Sequence, residues 1–332
     1  MSASLQHGQT VSDNPYVFVV GCPRSGTTLL QRMLDSHPLL AVANDTHFIP
    51  RALAGMGEAN PELTPELAEK VWEYHRFNRL GLTRDDLDAA AADSHTYSTF
   101  VSRLYDTFGR KRQKPLAGEK TPDYARHIPV LHGLFPRARF VHIIRDGRDV
   151  ALSALDWATP KKGPGRWTLW DSHPVATCAL WWRWQIEGAL DARLLLGPGV
   201  VHEVLYEDLV AAPETQLRRI ARFLDLEYDI AMEQYNRGKI RQDSNASAKS
   251  AWLSPTSGLR DWRQQMAPDD VSVFQALAGD LLNALGYETT TSAAGGPVAR
   301  VSEECQSWWN ECDGKPATRR RADRRLTTTE GS

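Results

Sequence analysis

Short runs rich in apolar residues alternate with longer amphipathic stretches along this chain. Five runs have the length, and most of them the β-branched or aromatic content, of buried strands. They cover residues 16–20, 39–43, 114–118, 139–144 and 200–205. Between several of them, apolar residues recur every three to four positions, as on the buried face of a helix. Such an alternation of strands and helices is typical of an α/β protein with a parallel sheet.

Residues 52–112 interrupt this alternation. Apolar residues there follow helical spacing in two stretches, 61–78 and 97–108, and we find no strand-like run between them. The pattern therefore predicts a helical insertion between the second and third strands. Insertions of this kind commonly cover the edge of a sheet where ligands bind and contribute contacts to the substrate.

The two ends of the chain differ from its middle. Residues 1–14 are polar and predict a flexible N-terminus. Gly295, Gly296 and Pro297 mark a linker, and the last residues, 315–332, are basic and poor in apolar side chains. We therefore expect a linker and a basic, disordered tail over residues 291–332. A single domain is expected over residues 15–290.

Composition narrows the classes of function. The chain has 332 residues, of which 42% are hydrophobic and 24% charged, as in a globular protein with one large core. Its net charge of −2 argues against nucleic acid as a partner. The four cysteines form no CxxC pair, and the N-terminus lacks the features of a signal peptide. No uncharged apolar stretch reaches about 18 residues. We expect a cytoplasmic protein without a transmembrane segment.

The first apolar run leads into a glycine-rich loop, GCPRSGTT, at residues 21–28. Its spacing is that of a P-loop with Thr27 at the position of the usual lysine. Glycine lets backbone N–H groups turn towards an anion, and the helix that starts at Thr27 adds its positive end. The loop predicts a phosphate-like ligand, whereas the missing lysine argues against hydrolysis of a nucleoside triphosphate. The fold class that follows is α/β, a P-loop-type central parallel sheet flanked by helices, with the helical insertion over the ligand edge.

A second anion site is predicted after the fourth strand. The sequence RDGRDVALS follows residues 139–144 directly and places Arg145 and Ser153 eight residues apart. Arginine offers permanently charged, fork-shaped donors for a phosphate, and serine adds a neutral donor. Because both loops leave the carboxyl ends of parallel strands, they belong to the same edge of the sheet. Two anion sites on one edge indicate a ligand with two separated anionic groups.

Two further segments end at the same edge. Asp45 and His47 follow the second strand, and Lys120 follows the third, in the sequence EKTP. Each also has a purely structural interpretation. Asp45 is suited to cap the next helix, and a lone histidine such as His47 often has a structural role. Lys120 has the alternative of being a solvated surface lysine.

The motifs PRSGTT, EKTP, RDGRDVALS and YEDL, together with a short acidic segment, occur in the order seen in sulfotransferases that use 3′-phosphoadenosine 5′-phosphosulfate (PAPS). The chain resembles this family over about residues 16–224. The resemblance implies that Arg145 and Ser153 bind the 3′-phosphate, that Tyr206 contacts the adenosine, and that Lys120 reaches the bridging oxygen of the leaving group. It also implies that the first loop holds the 5′-phosphosulfate through Arg24, Ser25, Gly26, Thr27 and Thr28.

Within the family, the segment NDTHFIPRAL is similar to the tyrosylprotein and the heparan-type branches. A glutamate at the position of Asp45 is the catalytic base in both, so the resemblance makes Asp45 the candidate base, with a side chain shorter by one methylene. His47 is the alternative. Lys249, Ser250 and Arg260 fall in the region where the family has its last cofactor-contacting loop.

The expected function is transfer of a sulfuryl group from PAPS to a hydroxyl of a carbohydrate, a glycolipid or another small-molecule acceptor. No metal is required by this chemistry, and the sequence leaves the acceptor and a homodimer open. Two alternatives remain at this point: a P-loop kinase that uses ATP, and a non-catalytic nucleotide-binding protein of the same fold.

Overall fold

Five parallel strands form the centre of the computed structural model, which describes residues 16–236, 260–290 and 295–312. The strands follow the order β2-β3-β1-β4-β5 across the sheet. They are β1 (Val17–Gly21), β2 (Leu40–Asn44), β3 (Leu116–Lys120), β4 (Arg139–Ile144) and β5 (Val201–Leu205).

The central strand β1 is buried along its whole length, which explains why its sequence, VFVVG, is apolar without alternation. It pairs with β3 on one side and with β4 on the other. The register places Asn44 of β2 beside Lys120 of β3, and Gly21 of β1 beside Ile143 of β4. The four segments that follow these strands therefore leave the sheet at the same edge.

Helices cover both faces of the sheet. The helices α1 and α10 pack on one face, and the long helix α8 packs on the other together with α6 and α7. The described helices are α1 (Thr27–Asp35), α2 (Phe48–Ala52), α3 (Pro65–Trp72), α4 (Arg84–Ala92), α5 (Tyr97–Lys111), α6 (Ile128–Leu134), α7 (Gly147–Leu155), α8 (Pro174–Leu196), α9 (Tyr206–Ala211), α10 (Pro213–Phe223), α11 (Trp262–Gln265), α12 (Pro268–Ala284) and α13 (Gly296–Glu311).

The segment between β2 and β3 is helical, as its apolar spacing predicts. It contains α2 to α5 and a short 3-10 helix, Phe77–Leu80. Threonine caps the N-termini of three of these helices: Thr64 accepts a hydrogen bond from the N–H of Leu67, and Thr83 and Thr96 form capping boxes. Buried apolar faces of α3, α4 and α5 join one core cluster with β1.

The structure corrects two boundaries. The third strand begins and ends two residues later than expected, because Glu119 and Lys120 continue it as fully buried charged residues. Within the region 291–332, residues 296–311 form the helix α13 in place of the expected linker and tail, and α13 buries Cys305 and Trp309. Its glycine and proline residues begin this helix, where proline is well tolerated.

Several expectations concern residues outside the described ranges. They are the flexible N-terminus, the contributions of Lys249 and Ser250, and the basic tail from Lys315 onwards. Among the described residues, no helix combines the length and the apolar character that crossing a lipid bilayer requires.

Candidate functional site

The candidate site lies at the edge of the sheet where β1 to β5 end. The loop after β1 turns sharply at two residues with positive φ: +81° at Arg24 and +88° at Gly26. This turn borders the space available to a ligand. Gly26 precedes α1, and the first turn of α1 has no side-chain cap, so its N–H groups are directed to this space. Thr27 is buried and Thr28 half-buried in that turn. The hydroxyl of Ser25 is buried without a hydrogen-bond partner in the part of the chain that the structure describes.

Tyr206, the first residue of α9, borders this loop. A Cβ atom at Gly26 would lie 2.4 Å from Cδ2 of the Tyr206 ring, so only glycine fits between the loop and the ring. The Arg145 guanidinium packs over the same ring, 4.6 Å from its centroid. Tyr206 therefore borders both predicted anion sites.

The two anion sites are joined by a direct contact. Nε of Arg24 donates a hydrogen bond to Oγ of Ser153, at 2.9 Å. Burial lowers the pKa of Arg24, and the nearby charges of Arg145 and Arg260 lower it further. Arg260, which pairs with Asp156, thus lies close enough to act on Arg24. Three arginines brought together in this way favour an anionic ligand.

Arg145 is held in place from several sides. Its guanidinium lies 3.5 Å from Asp149, and its carbonyl oxygen accepts a hydrogen bond from the indole of Trp182. The residue is only 8% exposed, yet Nε has no partner within the described ranges. A buried, unpaired guanidinium nitrogen is costly in the absence of an acceptor. An anion between Arg145 and Ser153 would supply that acceptor.

The second group of side chains is centred on Asp45. Nζ of Lys120 lies 2.9 Å from Oδ1 of Asp45, and the Lys120 side chain is 2% exposed. Arg79, from the helical insertion, lies 3.6 Å from Oδ2. Burial raises the pKa of Asp45, but Lys120, His47 and Arg79 outweigh it, so the net shift is downwards. Asp45 is therefore ionised and paired with Lys120 in the free protein.

The backbone around Asp45 is also unusual, since φ is +57° at Asp45 and +61° at His47. Buried Glu119 stabilises this turn by accepting hydrogen bonds from the N–H groups of Thr46, at 2.9 Å, and His47, at 3.2 Å. The hydroxyl of Tyr105 donates to the same carboxylate. This role of Glu119 was not predicted from the sequence. Two adjacent charged residues at the end of a strand, EK, were its only signal.

The structural interpretation of Asp45 as a helix cap is wrong. The residue at the N-cap of α2 is His47, and the Asp45 carboxylate points to Lys120. Burial lowers the pKa of His47 to about 4, because the charges of Arg76 and Arg51 add to the effect and Asp123 and Asp45 only partly oppose it. His47 is therefore a neutral imidazole at neutral pH.

Basic side chains lie on the side of the site that holds His47 and Asp123. Arg126, which no sequence motif indicated, stacks on Trp184 at 3.6 Å, and burial together with neighbouring arginines lowers its pKa to about 10. Arg166, from the basic loop 156–171, contributes to that shift and also acts on Asp123.

Within residues 16–236, 260–290 and 295–312, no group of histidine, cysteine and acidic side chains is arranged to hold a metal ion.

Comparison with known proteins gives consistent results. The model of a family described as the sulfotransferase family matches residues 15–230. Protein-tyrosine sulfotransferase A of Caenorhabditis elegans is 29% identical over 280 residues, which cover 83% of this chain and 68% of that protein. Protein-tyrosine sulfotransferase 1 of Danio rerio is 26% identical over 307 residues, which cover 87% of this chain and 78% of that protein.

Solved structures share the fold. The sulfotransferase domain of the Synechococcus PCC 7002 olefin synthase superimposes with a TM-score of 0.57 at 22% identity, covering 91% of this chain and 98% of that one. The sulfotransferase domain of the curacin biosynthetic pathway superimposes with a TM-score of 0.53 at 18% identity, covering 88% and 98%. These likenesses agree with the parallel sheet and flanking helices predicted from the sequence.

Proposed function

This chain belongs to the sulfotransferase family, and we propose that it transfers a sulfuryl group from PAPS to the phenolic hydroxyl of a tyrosine in a peptide. The acceptor differs from the carbohydrate, glycolipid or other small molecule expected from the sequence. Similarity to proteins named protein-tyrosine sulfotransferases over more than four fifths of the chain favours tyrosine instead. The basic side chains around His47 fit a peptide with acidic residues beside that tyrosine.

One observation carries the proposal. Two anion sites joined by the Arg24–Ser153 hydrogen bond lie at the same edge of the sheet as an ionised carboxylate paired with a buried lysine. The first pair suits a nucleotide with two separated anionic groups, and the second suits proton and charge transfer at the reacting group. A P-loop ATPase or kinase would need a lysine where Thr27 stands.

The residues present fit PAPS. Oγ of Ser25 and the first N–H groups of α1, which have no side-chain cap, are suited to the 5′-phosphosulfate. Nε of Arg145, with Ser153, is suited to the 3′-phosphate. Neither Oγ of Ser25 nor Nε of Arg145 has a hydrogen-bond partner among the described residues. Arg24 lies between the two sites, and Tyr206 borders both. PAPS, when bound, supplies an activated sulfuryl group with a phosphate leaving group.

Asp45 and Lys120 are proposed to do the chemistry. The acceptor O–H bond breaks and its proton goes to Asp45, while an S–O bond forms to the acceptor oxygen and the S–O bond to the 5′-phosphate breaks. Lys120 neutralises the charge that develops on the leaving oxygen. Because the Lys120 charge depresses the pKa of Asp45, movement of Lys120 towards the leaving group would make Asp45 a stronger base.

The test uses the full chain, radiolabelled PAPS and three acceptors: a peptide with a tyrosine between acidic residues, the same peptide with phenylalanine, and a mixture of oligosaccharides. We expect label on the tyrosine peptide only, recovered as sulfotyrosine. Label on the oligosaccharides alone would overturn the proposed acceptor. Transfer of labelled phosphate from ATP, in place of any sulfuryl transfer, would overturn the proposed reaction.

Calorimetry tests the donor site separately. We expect 3′-phosphoadenosine 5′-phosphate to bind at least about 100-fold more tightly than 5′-AMP, because a buried arginine and serine then gain a charged acceptor. Equal affinity for the two nucleotides would contradict the assignment of Arg145 and Ser153 to a 3′-phosphate site.

A further inference from the structure

His47 lies between two carboxylates. Its Nε2 is 3.8 Å from Oδ1 of Asp45, and its Nδ1 is 3.9 Å from Oδ2 of Asp123. Both distances exceed a hydrogen bond by less than 1 Å. Contacts at catalytic sites are often long in a free enzyme and shorten when the substrate binds. The resemblance to known motifs assigned a role to Asp45 and to His47, but none to Asp123.

Asp123 is rigidly held. It belongs to a 3-10 helix, Pro122–Arg126, that begins shortly after β3, so the end of one strand positions both Lys120, which pairs with Asp45, and Asp123. Oδ1 of Asp123 accepts a hydrogen bond from Nε2 of Gln185, at 2.9 Å, and lies 3.8 Å from Arg126. Arg126 is itself fixed by a hydrogen bond to Gln185 and by its contact with Trp184.

The charges on the two sides of His47 oppose each other. Asp45 and Asp123 favour the protonated imidazole, whereas Arg51 and Arg76 disfavour it. Lys120 and Arg79 act on Asp45 and therefore act on His47 indirectly. A neutral imidazole has one N–H and can donate to only one of the two carboxylates, but an imidazolium donates to both. His47 can therefore donate to both carboxylates only after it has accepted a proton.

We propose that Asp123 is a positioning residue for the transfer reaction: it orients the His47 ring so that His47 accepts, through Asp45, the proton released by the acceptor hydroxyl. The acceptor O–H bond breaks, its proton passes from Asp45 to Nε2 of His47, and Asp45 returns to its anionic form beside an imidazolium. As the contact shortens, Asp123 accepts a hydrogen bond from Nδ1 and stabilises that cation. The inference rests on the proposed function and assigns no contact between Asp123 and the acceptor.

The test compares D123N and E203Q. The D123N substitution keeps the size of the side chain and an oxygen for Gln185, but it removes the charge facing His47. Glu203, on β5, is a matched control, because its half-buried carboxylate pairs with Arg193 of α8. We expect D123N to lower kcat about 10-fold or more with an unchanged KM for PAPS. We also expect the acidic limb of its kcat/KM profile to move to lower pH, since Asp123 raises the pKa of His47. E203Q is expected to match the wild type.

A double-mutant cycle shows whether Asp123 acts through His47. In an H47N background, D123N should lower kcat by less than about twofold further. Full additivity of the two substitutions would overturn the proposal, as would a wild-type pH profile for D123N.

An NMR measurement keeps the test independent of activity. In the wild type, the 15N shifts of His47 should report a proton on Nδ1, and D123N should change the population of that tautomer. An unchanged tautomer in folded D123N would overturn the positioning role. If the wild type transferred no sulfuryl group while this tautomer shift was observed, the proposed function would fail and the Asp123–His47 contact would stand.

Discussion

Lys120 shows how a single side chain acquires its role from burial. A lysine that is 2% exposed must be paired, and its partner is a carboxylate at 2.9 Å. We predict that K120M lowers kcat by about 100-fold or more, because both the pairing of Asp45 and the neutralisation of the leaving oxygen are lost. The affinity for 3′-phosphoadenosine 5′-phosphate, measured by calorimetry, should change by less than about 10-fold, since the anion sites are formed by other residues.

Lys111 offers the control for this substitution. It also forms an ion pair, with Asp86, but on the exposed surface of α5. K111M should leave kcat within about twofold of the wild type, as expected for a solvent-screened pair. A K120M enzyme with wild-type kcat would remove Lys120 from the mechanism.

Gly26 cannot be replaced by a larger residue without a steric clash. Two effects forbid alanine there: a φ of +88°, and a Cβ position 2.4 Å from the Tyr206 ring. Gly55 allows the backbone effect to be measured without the steric one, because it has a φ of +86° and open space around its Cβ position. We predict that G26A weakens nucleotide binding by about 100-fold or more, since the loop or the ring must move away from the anion sites.

G55A, by contrast, should cost only about 1 kcal/mol of folding free energy and leave nucleotide affinity unchanged. Calorimetry and urea unfolding measure the two quantities. Equal nucleotide affinity for G26A and wild type would mean that the contact between loop and ring is not needed.

At the scale of the elements, strand β4 carries a buried histidine. Neither ring nitrogen of His142 has a hydrogen-bond partner among the residues that the structure describes, and burial lowers its pKa from 6.5 to about 3. In the unfolded chain His142 therefore binds a proton as the pH falls below 6.5, whereas in the folded chain it binds one only near pH 3. Stability contributed by this residue is present above pH 6.5 and is lost as the pH falls, by about 1.4 kcal/mol at pH 5.5.

We predict that H142L removes this dependence. The variant should be at least as stable as the wild type at pH 8, because leucine fills the space without unpaired nitrogens. On going to pH 5.5 its free energy of unfolding, measured in urea, should fall by about 1.4 kcal/mol less than that of the wild type. Parallel pH dependences would show that His142 is solvated or paired in solution.

The elements also show which features a sequence can predict. β1 and β4 were predictable because short runs rich in β-branched and aromatic residues, followed by a glycine-rich or arginine-rich turn, are typical of buried strands. The end of β3 was not, since Glu119 and Lys120 look like solvent-exposed residues until their partners are known. Burial of a charged residue depends on what the rest of the fold places opposite to it.

The candidate site divides in the same way. Local motifs predicted that the loops after β1 and β4 lie together at one edge of the sheet, because their spacing is determined by a few consecutive residues. Contacts between loops could not be predicted. Arg24 donates a hydrogen bond to Ser153 because the strand order brings their loops together, and Asp45 pairs with Arg79 because the helical insertion lies over this edge. Asp123 has no motif of its own and is identified by its distance to His47.

At the scale of the whole molecule, the C-terminal helix α13 connects to the candidate site. It lies beyond residues 15–230, which match the family. Trp309 of α13 packs against Trp167, at 5.5 Å between ring centroids, and against Trp184, at 6.2 Å. Trp184 in turn supports Arg126, which lies beside Asp123. A helix outside the matched region thus stabilises the basic side of the site.

This connection predicts that W309L affects the acceptor more than the donor. Loss of the indole leaves Trp184 free to shift, so Arg126 is less well oriented. Arg24 and Ser153, by contrast, contact each other, and the Arg145 guanidinium contacts Tyr206 and Asp149. The KM for an acidic tyrosine peptide should rise about 3- to 10-fold, and the affinity for 3′-phosphoadenosine 5′-phosphate should stay the same. Trp308, half-buried on the same helix, is the control, and W308L should leave both constants unchanged. Equal losses of peptide and nucleotide binding in W309L would mean that α13 supports the whole fold rather than the acceptor side.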